Sequence, residues 1–446
     1  MQRDKKFAAP YTSWLPDIGI EAVSCVGLLA YFAVQGAIPG IAPNQANEMT
    51  NSAATGLMKV GGIGSQLMAN GVICALVLSH LRRLRRFAFA LQWTAAIAVF
   101  AICSTLWSQD AVMSARRSLA FALATLFGLY LASRFQVRQQ LRILIVTMVL
   151  LAAASIILAL AFPSIGLEAS TGHSGNWQGA FTQKNACGRA MVFATAALLS
   201  LRGAYLWRFI CLLLFTFVLV MSGSRGAWLI EGILLVGFGL LRFAERSAPI
   251  TRLLLLCGSI AAVVTAMVSA WIYFPLIAGL LGRDPTLSGR TAIWKQVWIA
   301  ASKHPLLGYG LAAFWQGMKG ESYNVILALR FVIFHAHNGL LEIWLELGAV
   351  GLLLFVLSYL RAWRKLWPIL GSARMGQAFW MIFVLLLVAL YDVDENTLLT
   401  FNGLYWILYV MAVANIEIMR REHRLKHRGI NCQVNEVDQV AVQAAV

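Results

Sequence analysis

Apolar and polar positions alternate along this chain in long blocks, and the apolar blocks have the length of a bilayer. Runs of about 20 apolar residues recur, each enough as an α-helix to cross a hydrocarbon core roughly 30 Å thick. Read at that period, the sequence predicts an all-α, polytopic membrane protein of about 12 transmembrane helices. The first span runs near Ile18 to Ile38, and a polar loop, Gly40 to Ser65, follows. The second ends at Leu81, the third covers Phe87 to Leu106, the fourth Leu119 to Ala132, and the fifth ends at Phe162. A Gly/Ser-rich loop leads to the sixth, near Ala190 to Leu201, and the seventh and eighth flank Ser222 to Trp228. The ninth ends near Tyr273, the tenth lies near Leu340 to Leu360, and the last two flank Tyr391 to Thr400.

The pattern fails to be simple in one place. From Gly282 to Gly348 the chain gathers polar, ionisable and glycine positions: GRDPTLSGRTAIW, then HPLLGYG, then HAHNGLLEIWLELG. This stretch carries His304, His335 and His337, three of the seven histidines, together with Arg283 and Arg290. We read residues 1–446 as a single transmembrane domain, with a large catalytic loop at 276–337 between the ninth and tenth helices.

Composition supports the spans. The chain is 60% hydrophobic and 12% charged, about half the charge of a soluble domain. Its net charge of +17 would suit nucleic acid, but the placement of the cations argues for a lipid bilayer instead. The connections 82–86, 134–142, 202–208, 242–252 and 361–374, with both termini, hold about 24 Lys and Arg, and the alternate connections about 12. Cytoplasmic loops carry such an excess, so both termini are expected in the cytoplasm of a bacterial inner membrane and the 276–337 loop in the periplasm. The basic start, Met1 to Lys6, precedes no clear cleavage site, so a retained first span is expected. The seven cysteines show no paired spacing, which suggests neither a disulfide framework nor a zinc site.

The topology has a chemical consequence. Lys184, Arg189, Arg225, Arg283, Arg290, His335, His337 and Glu395 all fall at or near the outer face. Charge at the hydrocarbon edge is costly and is kept for partners or function, although single arginines there also serve as interfacial anchors. In TLSGRTAIWKQVWIAASKHP, Thr286 or Ser288 can cap a helix with Arg290 in its first turn and Ile293, Val297, Trp298 and Ala301 on an apolar face. An arginine at a helix N-terminus suits phosphate or pyrophosphate.

In HAHNG, Asn338 can cap the helix that follows. The helix start and nearby arginines disfavour an imidazolium, so His337 is expected to be neutral, as a general base requires. A His-x-His zinc site is the weaker reading, because no Cys or neighbouring carboxylate completes a set in the sequence. Glu342 and Glu346 stand one turn apart and are expected to bind helix neighbours. In NWQGAFTQKNACGRA, Lys184, Asn185 and Arg189 sit at a span entrance.

Together GAFTQKNACG (179–188), SGSRGAW (222–228), LSGRTAIW (287–294), HPLLGYG (304–310), HAHNGLLEIWLELG (335–348), DENTLL, and WSQD with SARRSL make a pattern. The chain resembles the O-antigen ligase and polysaccharide polymerase superfamily, most closely its exopolysaccharide-polymerase branch. Members often have His-Lys-Asn where this chain has Gln183-Lys184-Asn185, so position 183 receives no role. The resemblance implies a metal-independent, inverting glycosyl transfer at the periplasmic face, with no cofactor. The donor would be an oligosaccharide on undecaprenyl pyrophosphate. Arginines and the other outer-face residues would hold it, and His337 would deprotonate the acceptor hydroxyl.

The first reading is a polymerase of surface polysaccharide repeat units, working with other polysaccharide assembly proteins. A ligase moving finished polysaccharide to lipid A-core or another acceptor is the alternative. A transporter would require mid-membrane polar residues and repeat symmetry, and neither stands out. The topology makes the first test. A thiol placed at Ser288 is expected to be labelled from the periplasm, and one at Arg364 only from the cytoplasm. The reverse pattern would overturn the functional reading.

Overall fold

A computed structural model of the chain describes residues 19–34, 56–168, 175–202, 205–248, 250–251, 258, 289–370, 375–393, 395–398 and 403–427. The expected ninth span and Arg283 lie outside the described residues, as do Thr286 and Ser288. The regular structure among the described residues is helical, apart from one isolated antiparallel bridge between Leu167 and Trp177.

In chain order the helices are α1 (Ile20–Val34), α2 (Gly56–Ser79), α3 (Leu81–Phe87), α4 (Gln92–Cys103), α5 (Ala111–Arg134), α6 (Val137–Ala161), α7 (Lys184–Ser200), α8 (Tyr205–Met221) and α9 (Arg225–Arg246). After them come α10 (Arg290–Ala301), α11 (Ser322–Leu329), α12 (Gly339–Leu370), α13 (Met375–Tyr391) and α14 (Leu404–His427). Five stretches are long and apolar enough to cross a membrane: Gly61–Ser79, Ala111–Arg134, Val137–Ala161, Arg225–Arg246 and Gly339–Leu370. The pair Leu81–Ala90 and Gln92–Leu106, bent by 101°, would make a sixth, and Ile20–Val34, Tyr205–Met221 and Ala378–Tyr391 are apolar but shorter. A multi-pass membrane protein follows. The twelve expected spans are not all reached among the described residues.

α7 is the centre of the bundle. It is built of Ala, Gly, Cys and a few larger apolar residues, and from Ala186 to Leu199 every residue is buried. Small side chains let α6, α8, α9 and α13 close around it. At its start, a Cβ on Gly188 would stand 2.8 Å from Ala227 Cβ and 2.9 Å from Ser224 Cβ, so glycine admits the turn between α8 and α9. A second seam joins α5 to α14, where Gly128 lies against Val410 and Trp406 Nε1 donates to Thr125 Oγ1 at 2.8 Å. In α6, Gln140 exchanges two amide hydrogen bonds with Asn415 of α14, at 3.2 and 2.7 Å, so this buried polar pair is satisfied.

The helices run between two chemically different ends. At one, Arg134 meets Glu21 at 2.8 Å, Glu245 pairs with Arg202 and Arg242, and Glu417 pairs with Arg361 and Lys365. At the other, residues 289–338 form a cap whose apolar core of Ile293, Val297, Phe314, Trp315 and Ile333 is completed by Leu345 of α12. The stretch that reads as a loop in the sequence is therefore a folded helical unit. Its first helix differs from expectation at two points. Gly289, at φ +85°, occupies the N-cap of α10 with no side-chain cap, and Ala300 takes the buried place expected of Trp298, which is exposed and packs on Trp344.

The cap is tied to the bundle through a break in α12. Gly348 has φ +66° and ψ −170°, so the two helical bonds that would close across it are lost. In an unbroken helix Ala349 and Val350 N–H would donate to Leu345 and Glu346 C=O. Here they donate to Pro305 and Leu306 C=O, at 2.8 and 3.2 Å, while Leu345 and Glu346 C=O accept from Tyr309 and Gly310 N–H, at 3.1 and 2.9 Å. HPLLGYG thus fills the break with four backbone bonds. WSQD holds it from the other side: Gln109 Nε2 donates to Ala313 O at 2.6 Å and Trp107 Nε1 to Leu307 O at 2.9 Å.

This arrangement makes the glycine a point of failure. A Cβ on Gly348 would sit 2.2 Å from the Leu306 carbonyl carbon, in an essentially glycine-only backbone region that costs an L-residue of order 1–3 kcal/mol by itself. Gly348→Ala is expected to lower the thermal unfolding midpoint of detergent-purified protein more than Gly317→Ala. Gly317 shares φ +66° but has open space around it. Equal losses would show that the close approach is not what matters.

Candidate functional site

Glu395 is the hub of the site. It follows α13, is buried, and its backbone N–H donates to Tyr391 O at 2.8 Å. Its side chain reaches three elements. Asn185 Nδ2, in the first turn of α7, donates to Oε1 at 3.0 Å, and Arg290 Nη2, at the start of α10, lies 3.4 Å from the same oxygen. His337 Nδ1 stands 3.8 Å from Oε2. Ser224 Oγ, in the turn between α8 and α9, donates to Asn185 Oδ1 at 3.0 Å and so fixes which way that amide faces.

The turn that presents the histidines is over-determined. Ala336 N–H donates to Glu342 Oε2 at 2.6 Å, and Trp315 Nε1 binds the other oxygen at 2.7 Å. Asn338 caps α12 as expected, with Leu341 N–H on its Oδ1 at 2.9 Å, and Gly339 N–H donates to Asp392 O at 2.8 Å. Trp294 Nε1 donates to His337 O at 3.3 Å. These bonds hold His337 at φ +50°, a left-handed conformation that non-glycine residues adopt at a cost of order 1–3 kcal/mol and that gathers at functional sites. Glu342 therefore binds the turn and does not face the cluster.

The two histidines are not equivalent. His337 N–H donates to His335 Nδ1 at 3.3 Å, which places the His335 proton on Nε2. Withdrawal from solvent, then the neighbouring His337 and the guanidinium groups of Arg189 and Arg290, pull His335 down to about 3, so it is neutral. Its lone pair is already in use, and it can act only as a donor. Burial alone would raise Glu395, but the His337 contact and the charges of Arg189 and the histidines outweigh it and hold the carboxyl well below the usual range. A carboxylate beside Nδ1 leaves the Nε2 lone pair of His337 available.

The remaining candidates fall around this core at different ranges. Arg189, one turn into α7, is buried with its guanidinium 4.7 Å from the centre of the Tyr405 ring and 5.9 Å from that of Tyr391. Its Nε and Nη1 have no hydrogen-bond partner among the described residues. Lys184 opens α7 and is half-buried, with its backbone N–H 3.4 Å from Glu168 Oε2. Arg225 opens α9 beside Ser224, is exposed, and forms no ion pair among the described residues. His304 packs its ring on Tyr309, within the cap and apart from Glu395.

The structure corrects one premise. No carboxylate lies near the histidine pair in sequence, but Glu395 does in space, and one ligand atom each from His335, His337 and Glu395 lie within 4.8 Å of one another. The group could hold a cation as far as donor type is concerned. Against that, Arg290 and Asn185 already occupy Oε1, and the guanidinium groups would repel a divalent ion. Sequence reasoning also missed Ser224, Tyr405, Asp392 and Trp294. Ser224 and Trp294 lay in motifs already singled out, but Tyr405 and Asp392 gave no signal beyond ordinary apolar or polar positions.

Residues 210–356 match the family model described as O-antigen ligase. Over 372 residues the chain is 28% identical to the exopolysaccharide production protein ExoQ of Rhizobium meliloti (strain 1021), a match covering 79% of this chain and 78% of that protein. Both matches support a resemblance to the O-antigen ligase/polymerase-like family. The family segment holds SGSRG, Arg290, HPLLGYG and both histidines, whereas Asn185, Arg189 and Glu395 come from outside it. In this chain the site is thus closed by α7 and by the segment after α13.

Asp392 supplies a test of the segment that carries Glu395. Burial pushes its carboxyl up to about 7, although Thr397 donates both its N–H and Oγ–H to Oδ1 at 2.8 Å. A carboxyl raised by folding stabilises the fold at low pH, and that contribution is lost as pH rises from the unfolded value near 4 to about 7. Asp392→Asn is expected to flatten the fall in unfolding temperature between pH 5 and 7 (roughly, from those two limits). An unchanged slope would mean the carboxyl is ionised throughout.

Proposed function

We propose that this protein is a glycosyltransferase that polymerises surface polysaccharide repeat units. The donor is a glycan carried on undecaprenyl pyrophosphate, and the reaction takes place at the periplasmic face of the inner membrane. What carries the reading is Glu395, around which a histidine with a free Nε2, two arginines and an asparagine gather from three separate elements, α7, α10 and the turn before α12. A base beside clustered cations suits attack by a hydroxyl on a sugar whose leaving group is a polyanion.

In the proposed step His337 Nε2 takes the proton from the acceptor hydroxyl as that oxygen attacks the anomeric carbon. The bond from the anomeric carbon to the pyrophosphate oxygen breaks, and the electron pair leaves with the lipid pyrophosphate. Attack opposite the leaving group inverts the anomeric centre. Arg189 and Arg290 offer planar donors to the pyrophosphate. Lys184 and Arg225 add charge around the mouth, and His335 Nε2–H and Asn185 help place the donor. Glu395 orients His337 and stabilises its cation after proton transfer. Charge compensation by guanidinium groups makes a metal unnecessary in this mechanism.

The ligase reading also has an observation behind it, since the matching family model is described as O-antigen ligase. Lipid-linked glycans from a deletion strain separate the two. Single repeat units with no ladder mean a polymerase, and accumulated full-length lipid-linked chains mean a ligase.

The mechanism is tested with purified protein and a lipid-pyrophosphate oligosaccharide donor. His337→Ala is expected to lower turnover roughly 10²–10⁴-fold, the usual contribution of a positioned base, with donor binding retained and no effect of EDTA. Arg290→Lys keeps the charge but loses the fork, and is expected to be impaired as well. Near-normal turnover by His337→Ala would remove the base assignment. Loss of wild-type activity with EDTA, with His335→Ala as harmful as His337→Ala, would move the site to metal chemistry.

A further inference from the structure

A wide cavity lies away from Glu395. It has a volume of about 750 Å³ and opens between the end of α7, the start of α8 and the end of α9, at the opposite end of the bundle. Arg202, Arg208, Arg242 and Arg246 line it, and Phe209, Phe238 and Phe243 supply much of the apolar wall.

Among the described residues the positive charge of this cavity outweighs the negative. Among the four arginines the ion pairs recorded go to one carboxylate, Glu245, which binds Arg202 and, at 3.0 Å, Arg242. Arg242 is further held over the rings of Phe238 and Phe379, at 5.2 and 5.4 Å. Arg208 donates from Nη2 to Leu198 O at 3.2 Å, while its Nε is buried without a hydrogen-bond partner among the described residues. Arg246 is exposed at the rim. A guanidinium group at the hydrocarbon edge is costly without an anion, and a fork with a free Nε is shaped for a phosphate oxygen.

The apolar side of the cavity says which phosphate. Phe209 and Phe243 are 58% and 59% exposed, on helix faces that point away from the bundle. A soluble anion would have no use for that surface, whereas two acyl chains would cover it. We propose that this cavity binds an anionic phospholipid, its phosphodiester held by Arg208, Arg242 and Arg246 and its chains laid along α8 and α9. Basic pockets between spanning helices on the side rich in cations take such headgroups, and the volume falls within the usual range for ligand sites of about 300–1,000 Å³. This site is separate from the glycan-transfer centre and does not rest on the mechanism proposed for it.

The test is native mass spectrometry of the purified full-length protein, titrated with phosphatidylglycerol, phosphatidylcholine or inorganic phosphate. Phosphatidylglycerol is expected to stay bound at collision energies that strip phosphatidylcholine, and a large excess of inorganic phosphate should not displace it. Equal retention of the two lipids would overturn the proposal in favour of a merely apolar groove. Displacement by inorganic phosphate would overturn it in favour of a soluble anion. Arg208→Gln with Arg246→Gln is expected to weaken phosphatidylglycerol binding about tenfold or more, and unchanged binding would also refute it. If the double variant does not fold, Arg246→Gln alone and the wild-type lipid comparison decide the matter.

Discussion

The break in α12 at Gly348 is the constraint on which the rest of the cap depends. A helix that continued unbroken from Gly339 to Leu370 would satisfy its own backbone and leave nothing for residues 305–310 to bind. Because two helical bonds are forfeited, four backbone groups are left without helical partners, and the backbone of residues 305–310 satisfies all four. That requirement draws HPLLGYG against the top of the span. Gly308 and Gly310, both at positive φ, permit the approach: a Cβ on the first would meet Glu346 at 2.5 Å, and on the second Ser108 at 2.5 Å. The motifs around 107–110, 304–310 and 339–348 are thus one mechanical joint, and the histidine turn sits directly on it.

What the joint positions is a balance of charge. Glu395 is a single carboxylate among Arg189, Arg290 and two histidines, and the hydrogen bond from Asn185 fixes its orientation. The partners come from α7, from the start of α10 and from the turn before α12, so the site exists only when α7, the cap and the segment after α13 are assembled together. Breaking such a cluster by removing its one anion would leave buried cations uncompensated, which is far more costly than losing a surface pair. On the proposed mechanism the same imbalance has a use, because the excess of cation over anion is what a pyrophosphate would complete.

Much of this was legible in the sequence. Hydrophobic period and the placement of arginines gave helices, multiple passes and the separation of a basic end from a chemically equipped end. His337, Arg290, Asn185 and Glu395 were singled out from their motifs, and they do converge. Asn338 reads as a helix cap and is one. The failures have physical reasons. A glycine within an apolar run does not announce a helix break, because its φ depends on the loop that arrives from elsewhere. The cap at 289–338 reads as a loop because its core comes from short helices and turns whose apolar residues have no long period. Glu395 as a possible metal partner was invisible because it is 58 residues from His337 along the chain.

Asp392 and Glu395 show how the environment, and not burial alone, assigns chemistry. Both are buried carboxyls in the same short segment, three residues apart. Desolvation pushes both upward. For Asp392 the compensation comes chiefly from the neutral donors of Thr397, and its carboxyl rises to about 7. For Glu395 the compensation comes from His337, Arg189 and His335, and its carboxyl moves far the other way. Divergence of this kind between neighbouring acids is a mark by which roles can be told apart. Asp392 is suited to knit the segment to the start of α12, where Gly339 leaves room for it: a Cβ there would meet Asp392 Oδ1 at 2.1 Å. Glu395 stays ionised across physiological pH, and only an ionised group could both hold two cationic elements together and receive the charge that a histidine base acquires.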